Sequence, residues 1–381
     1  MATKRAWLAI LLMFNAGTAS AQSFDKTVLA WSLPWDADWV TAVRFIGSNR
    51  IAAGNNLGQI MIWDLPEKKG GPAPNPVRRF DGHTNAITRL LTSVDGRYLI
   101  SASNDRTIRL WDTQATADKK GVVTLNARAI QEAETRKKKT PKANEVVVEV
   151  QEGGRIFGSH GDWVVGLSLN ADGTLMASGD EKGEIIVWDF PSGKERKRWK
   201  AKGWVYALAL APDGQTLLAS ERLPLVFDSG RHAGLKLWNV GTGEMKADLS
   251  KAFDKQMFSA AAFSADGKHL AIGRGGEIDG LNGKVLLLDP ATGKLKKELT
   301  PGHLNGITNL IFHPGGKHLL SCGRDTTIRV WDVEQGKLVK ELGQGRGGQF
   351  KDWIHDIAIS PDSKWIAGAD MAGFVQIYGS E

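Results

Sequence analysis

The chain has almost no cysteine: Cys322 is the only one in 381 residues. No internal disulfide is possible, so stability must come from packing rather than covalent staples. Paired-cysteine metal motifs and Cys-x-x-Cys-His haem attachment are excluded with it. A Gly-x-Ser-x-Gly elbow, a phosphate loop and a His-Glu-x-x-His pair are also missing, and the eight histidines are scattered. The expectation is a protein with no catalytic machinery, no cofactor and no metal ion. Long apolar runs are equally scarce. The one near the start, Ala6 to Phe14, falls well short of the roughly 20 residues that span a bilayer as a helix. With Lys4 and Arg5 before it and Ala19-Ser20-Ala21 after it, residues 1–21 read as a signal peptide cleaved before Gln22. That predicts a periplasmic or secreted protein without membrane insertion. Asn-x-Ser/Thr sequons are absent, which leans towards a bacterial source.

Charge of one sign is not in large excess. The formal balance is +7, or +5 once Lys4 and Arg5 are removed, and much of it sits in Arg136-Lys137-Lys138-Lys139. This run reads as a solvated loop, and in an exported chain nucleic acid is not an expected partner. Cys322 lies in the apolar stretch Leu319-Leu320-Ser321-Cys322 and is expected to be buried and inert.

What the chain has in quantity is glycine, with 44, and tryptophan, with 14. Self-comparison explains both. Gly82-His83, Ala86-Ile87-Thr88-Arg89-Leu90, Asp95-Gly96, Tyr98-Leu99-Ile100-Ser101, Asp105 and Thr107-Ile108-Arg109-Leu110-Trp111-Asp112 form one unit. Gly302-His303, Gly306-Ile307-Thr308-Asn309-Leu310, Gly315-Gly316, Leu319-Leu320-Ser321, Asp325 and Thr327-Ile328-Arg329-Val330-Trp331-Asp332 repeat it. Each unit holds three strand-like stretches separated by turn signals. Asp-Gly recurs between the first two, at 172–173, 213–214 and 266–267, and suits a tight hairpin. The third stretch ends in Trp-Asp at 63–64, 111–112, 188–189 and 331–332, and in Trp238-Asn239, Leu288-Asp289 and Tyr378-Gly379 in weaker copies. Successive spacings of 48, 77, 50, 50, 43 and 47 residues are those of a four-stranded propeller blade plus loops.

With these motifs the chain resembles the WD-repeat family over nearly all of residues 24–381. The resemblance implies an all-β, seven-bladed β-propeller occupying residues 22–381. It also implies a hydrogen-bonded polar set of His, Ser, Asp and Trp within a blade, matched by His83, Ser101 or Ser103, Asp105 and Trp111, and by His303, Ser321, Asp325 and Trp331. The third blade keeps His160 and Trp188 but has Lys182 at the Asp position. The first, fourth, fifth and seventh have Leu57, His232, Asn282 and Ala372 there. The last blade ends after its third strand, and Phe24 to Trp31 is expected to supply the fourth, closing the ring as the family commonly does. Closure removes exposed sheet edges.

Departures between copies mark customised places. The largest, residues 113–157, is expected between the third and fourth strands of the second blade, on the lower side of the ring. A short helix is predicted within 127–142 and an added or edge strand at 145–150. Long turns at 221–234 and 274–283 are placed on the upper face. At the start of the first strands stand Trp39, Trp163, Trp204, Phe258 and Trp353, expected near the upper mouth of the channel. Two readings stay open: the rings pack within the repeat, or they meet a partner as interface hot spots do. The family resemblance implies a monomeric, non-catalytic scaffold that binds protein partners through its upper face. The alternatives are carbohydrate or small-ligand recognition at the Trp-lined mouth, and a metal-dependent hydrolase. For the last, only weak groups offer themselves: Glu277 with Asp279, and Glu221 with Asp228 and His232.

Overall fold

The computed structural model describes residues 24–35, 39–222, 233–253, 256–275, 283–343 and 353–379. The expected signal segment, and Asp228, His232, Glu277, Asp279 and Asn282, lie outside the described residues. Among the described residues, seven four-stranded units follow one another around a ring. Their innermost strands are Val40–Phe45, Ile87–Thr92, Val164–Leu169, Trp204–Leu210, Phe258–Phe263, Ile307–Phe312 and Ile354–Ile359. Within each unit the strands run antiparallel in chain order, and the fifth and sixth units touch through Thr300 and Lys337. The final unit takes its outer strand from the start of the chain: Val28–Pro34 pairs antiparallel with Phe374–Gly379.

The second strand of each blade is flanked on both faces by protein, so its residues are buried consecutively rather than alternately. Leu175–Asp180, His318–Gly323 and Trp365–Asp370 are buried at every position. One site on this strand must stay small. A Cβ at Gly54, Gly179 or Gly273 would come within 2.6 Å of Ile87, Val205 or Ile307 on the next blade. The equivalent residues elsewhere are Ala102, Ser220, Cys322 and Ala369. Cys322 therefore serves as a small core residue, and burial pushes its thiol pKa up.

Among the described residues all seven innermost strands carry a bulge near their start, one residue in for six of them and two residues in for Trp204–Leu210. A bulge re-aims the extra side chain. Here it turns hydroxyls towards the adjacent blade: Thr41 donates to the Ile87 carbonyl at 2.6 Å, Thr88 to that of Val164, Ser259 to that of Ile307 and Thr308 to that of Ile354. The seam between the last and first blades is held by a buried carboxylate instead. Asp356 accepts from the Val43 amide at 2.9 Å and also from the Asn309 side chain.

The segment after Asp112 behaves differently from its place in the chain. Lys119–Thr124 and Glu145–Glu152 form an antiparallel pair, with the helix Ala127–Thr135 between them. Glu145–Glu152 then lies parallel to Pro76–Asp81, so the first blade's sheet grows to six strands. Only afterwards does Arg155–Ser159 return as the fourth strand of the second blade. The insert thus joins the second blade's third and fourth strands, and the free edge of Pro76–Asp81 receives it, because pairing satisfies the exposed amides and carbonyls of that edge. Val123, Val148 and Val150 bury against the core cluster containing Trp35 and Trp63.

The start of the described chain seats Phe24 between two imidazoles, 5.9 Å from His313 and 5.0 Å from His318, ring edge to face. Burial, and then the neighbouring His318, bring the His313 pKa down to about 4. Burial and Lys317 lower that of His318, with Asp332 opposing. His313 Nδ1 accepts the Gly315 amide at 3.1 Å, a bond that protonation removes. The unfolded chain therefore binds more protons than the folded one below the ordinary histidine pKa of 6.5, so stability falls as pH drops from there towards 4. Melting temperature measured from pH 7.5 to 4.5 should decline across that window. A His313→Asn, His318→Asn variant should show a flatter profile; an unchanged slope would remove these two groups as its cause.

Candidate functional site

Antiparallel succession puts the start of every first strand, the turn between second and third strands, and the connection into the next blade at one end of the ring. Each first-strand start is fixed by a backbone bond from the neighbouring turn. Asn56 N donates to Trp39 O at 3.2 Å, Glu181 N to Trp163 O at 3.1 Å and Met371 N to Trp353 O at 3.0 Å. The same bond in the fifth blade runs from Gly275 N to Met257 O at 3.1 Å. Phe258 therefore stands one position further along, where the other blades carry Val40, Val164 or Ile354, and its ring is buried at 1% exposure. The repeat pattern groups Phe258 with the mouth aromatics; the strand register removes it, because that position faces the core.

Trp39, Trp163, Trp204 and Trp353 each stand at or immediately before the start of an innermost strand. Trp39, Trp163 and Trp204 are 41%, 42% and 40% exposed, unusually open for rings of that size. Arg222 lies over Trp204 at 5.5 Å, and Arg324 of the sixth blade over Trp353 of the seventh at 4.3 Å. Such stacking holds a guanidinium flat and ready for a carboxylate or a backbone carbonyl. Sequence reasoning missed Leu57 and Leu304, which sit on the same end at 59% and 70% exposure. Leu57 occupies the turn where other blades place their Asp, a substitution of polar by apolar that was the available signal.

Beneath this face the two polar sets form as the sequence implied. His83 Nδ1 lies 2.7 Å from Asp105 and its Nε2 2.7 Å from Ser101 Oγ, which accepts from Trp111 Nε1 at 2.8 Å. In the sixth blade His303 meets Asp325 at 2.8 Å and Ser321 at 2.7 Å, and Trp331 donates to Ser321 at 2.8 Å. Ser103 is not the partner of His83; it bonds the Asn85 carbonyl at 2.9 Å. Burial lowers the His83 pKa, against the opposing pull of Asp105. Burial alone would raise the Asp105 pKa, but bonds with His83 and Thr107 outweigh it and hold the carboxyl well below its usual range. These groups are consumed in rigidifying their blades.

The third and fourth blades solve the same problem with other residues. Lys182 does occupy the third blade's turn, but Asp180 at the end of the second strand faces His160 instead. In the fourth blade Glu221 takes that place and meets Lys236 Nζ at 2.8 and 2.7 Å, both side chains being buried. Glu221 also accepts the Lys202 amide at 3.2 Å.

The central channel is lined by side chains from several blades, among them Arg44, Arg89, Ser168, Asn309 and Asp356, around a cavity of about 340 Å³. Among the described residues no helix is long and apolar enough to cross a membrane.

Comparison with known proteins agrees with this architecture. The family model for WD domain, G-beta repeat matches residues 74–112, 153–189 and 293–332. Each match begins on the outer strand of one blade and ends on the third strand of the next, so the sequence repeat is out of phase with the structural one. The WD repeat-containing protein SL1-17 of Schistosoma mansoni is 28% identical over 187 residues, covering 48% of this chain and 55% of that protein. Nuclear distribution protein nudF of Aspergillus niger is 26% identical over 300 residues, 78% of this chain and 49% of its own length. Nuclear distribution protein PAC1-1 of Uncinocarpus reesii is 29% identical over 340 residues, 84% of this chain and 64% of the relative. The chain thus spans roughly half to two thirds of these relatives. All three come from eukaryotes and lend the expected bacterial source no support. Three segments of the chain thus match the WD domain, G-beta repeat, within a set of four-stranded sheets typical of a WD40 propeller.

Proposed function

We propose that the protein is a non-catalytic interaction scaffold that holds a protein partner on the upper face of the propeller. The observation that carries this reading is the three exposed tryptophans at the starts of innermost strands, Trp39, Trp163 and Trp204, with arginines stacked on Trp204 and on the half-buried Trp353. Tryptophan and arginine dominate interface hot spots because a large rigid surface is buried at small entropic cost. The polar sets that look most like chemistry are hydrogen-bonded inward and spoken for. WD-repeat relatives support a scaffold in general; the face is our own assignment.

Replacing Trp163 and Trp204 with alanine tests it. Both rings are partly exposed, so the fold should tolerate the change, with melting shifted by only a few degrees. Partner affinity, measured with a protein captured by the wild type and then purified, should fall at least thirty-fold, about 2 kcal/mol for the pair of rings together. A variant altered on the outer edge, Val147→Lys, should bind normally. Equal binding by the tryptophan variant would move the interface elsewhere. Retention on a glycan array, lost in the same variant, with no protein captured, would favour carbohydrate recognition.

A further inference from the structure

We propose that His160, Asp180 and Glu184 of the third blade form a divalent-cation site, with Zn²⁺ the ion whose geometry fits. In the second and sixth blades His83 and His303 meet their carboxylates at 2.7 and 2.8 Å. In the third blade the carboxylate comes from the strand end rather than the turn, and the His160 Nδ1 to Asp180 Oδ2 distance opens to 3.4 Å. The residue that begins the third strand also differs. Where Thr107 and Thr327 hydrogen-bond the Asp, Glu184 brings a second carboxylate, its Oε2 lying 3.6 Å from His160 Nδ1.

Three donor atoms thus surround one point, all within 4.8 Å of one another. A tetrahedral set with metal–ligand bonds of about 2.0–2.2 Å has ligand–ligand edges of roughly 3.3–3.6 Å. The two edges at His160 match. The imidazole and the Asp180 carboxylate are 0% and 1% exposed; His160 Nδ1 and Asp180 Oδ2 face each other as an ion pair, and among the described residues neither makes a hydrogen bond of ordinary geometry. Buried polar atoms left with so long a contact are costly, and a cation between them satisfies both.

The surrounding bonds aim these atoms inward. Asp180 Oδ1 is occupied by the amides of Lys182 and Glu184, at 2.9 and 2.8 Å, leaving Oδ2 for the centre. Arg198 takes Glu184 Oε1 at 2.7 Å, leaving Oε2. Ser178 Oγ lies 2.7 Å from His160 Nε2 and accepts from Trp188 Nε1 at 2.8 Å. A serine oxygen has two lone pairs, so it can also accept the imidazole proton once Nδ1 serves as ligand. Glu184 is 24% exposed, so the fourth position opens towards solvent.

The experiment titrates Zn²⁺ into the full chain after dialysis against EDTA, reading stoichiometry and affinity by calorimetry and stability by melting. The expected result is one ion per chain with a micromolar or tighter Kd, and a melting temperature that rises with Zn²⁺. Glu184→Gln should weaken binding at least ten-fold. Glu184→Thr, which installs the residue of the second and sixth blades, should also abolish the Zn²⁺-dependent rise while keeping the fold, and covers the case in which the Gln variant is unstable. No stoichiometric ion, or equal affinity in folded Glu184 variants, would overturn the proposal and leave a stretched structural set.

Discussion

A chain beginning at Trp39 melts at least about 10 °C below one beginning at Gln22, and it associates at low concentration. The deleted segment carries Phe24, Trp31, Leu33 and Trp35, all at least 96% buried. Full burial contributes about 1.5–3 kcal/mol for each large apolar side chain. Part of that is offset by the entropy of ordering the strand. The offset does not cover what the rest of the molecule loses. Trp365, whose ring lies 5.2 Å from Trp31, and Trp63, 5.8 Å from Trp35, are uncovered together with the edge of Phe374–Gly379. An unpaired apolar edge recruits another chain. Differential scanning calorimetry with sedimentation reads both effects. A melting temperature within about 2 °C of the full chain would mean that the inner seam, with Asp356 on the Val43 amide, closes the ring alone.

Lys236→Met destabilises the protein by about 3–5 kcal/mol, because it strands the Glu221 carboxylate at 0% exposure with its counter-charge gone. The ion pair itself need not stabilise. Desolvating two charges costs about as much as their attraction returns, so Glu221→Leu combined with Lys236→Met should recover most of the loss. Urea unfolding of the two single variants and the double variant closes the cycle. Equal losses in all three would show that the fourth blade needs the pair for something beyond mutual neutralisation. In this blade the polar set is replaced by the buried Lys236–Glu221 pair.

How far each feature was legible depended on whether it lay within a repeat or between repeats. The Trp-Asp periodicity, the Asp-Gly hairpins and the sets around His83 and His303 are local patterns whose partners recur at constant spacing, so copies could be compared. Phe258 was misplaced because one-residue register on an innermost strand cannot be read from an aromatic alone; the bulge and the Gly275 bond set it. Asp180 was passed over because its carboxylate comes from two residues before the position the repeat pattern reserves. The pairing of Glu145–Glu152 with Pro76–Asp81 joins segments about 70 residues apart and has no counterpart in other copies.

The sequence by itself determined that this chain builds blades: period-2 strands, tight turns and one small residue per second strand, the last because neighbouring blades approach too closely for more. Only the tertiary structure decided what faces what. It bent the bulged hydroxyls across to adjacent blades, carried the long insert to the edge of a blade it does not belong to, buried Phe258 while opening three tryptophans, and drew His160, Asp180 and Glu184 around one point. The reason is physical. Local pattern fixes which backbone shape is cheap, whereas contacts between distant segments depend on register and edges that exist only after the ring has formed.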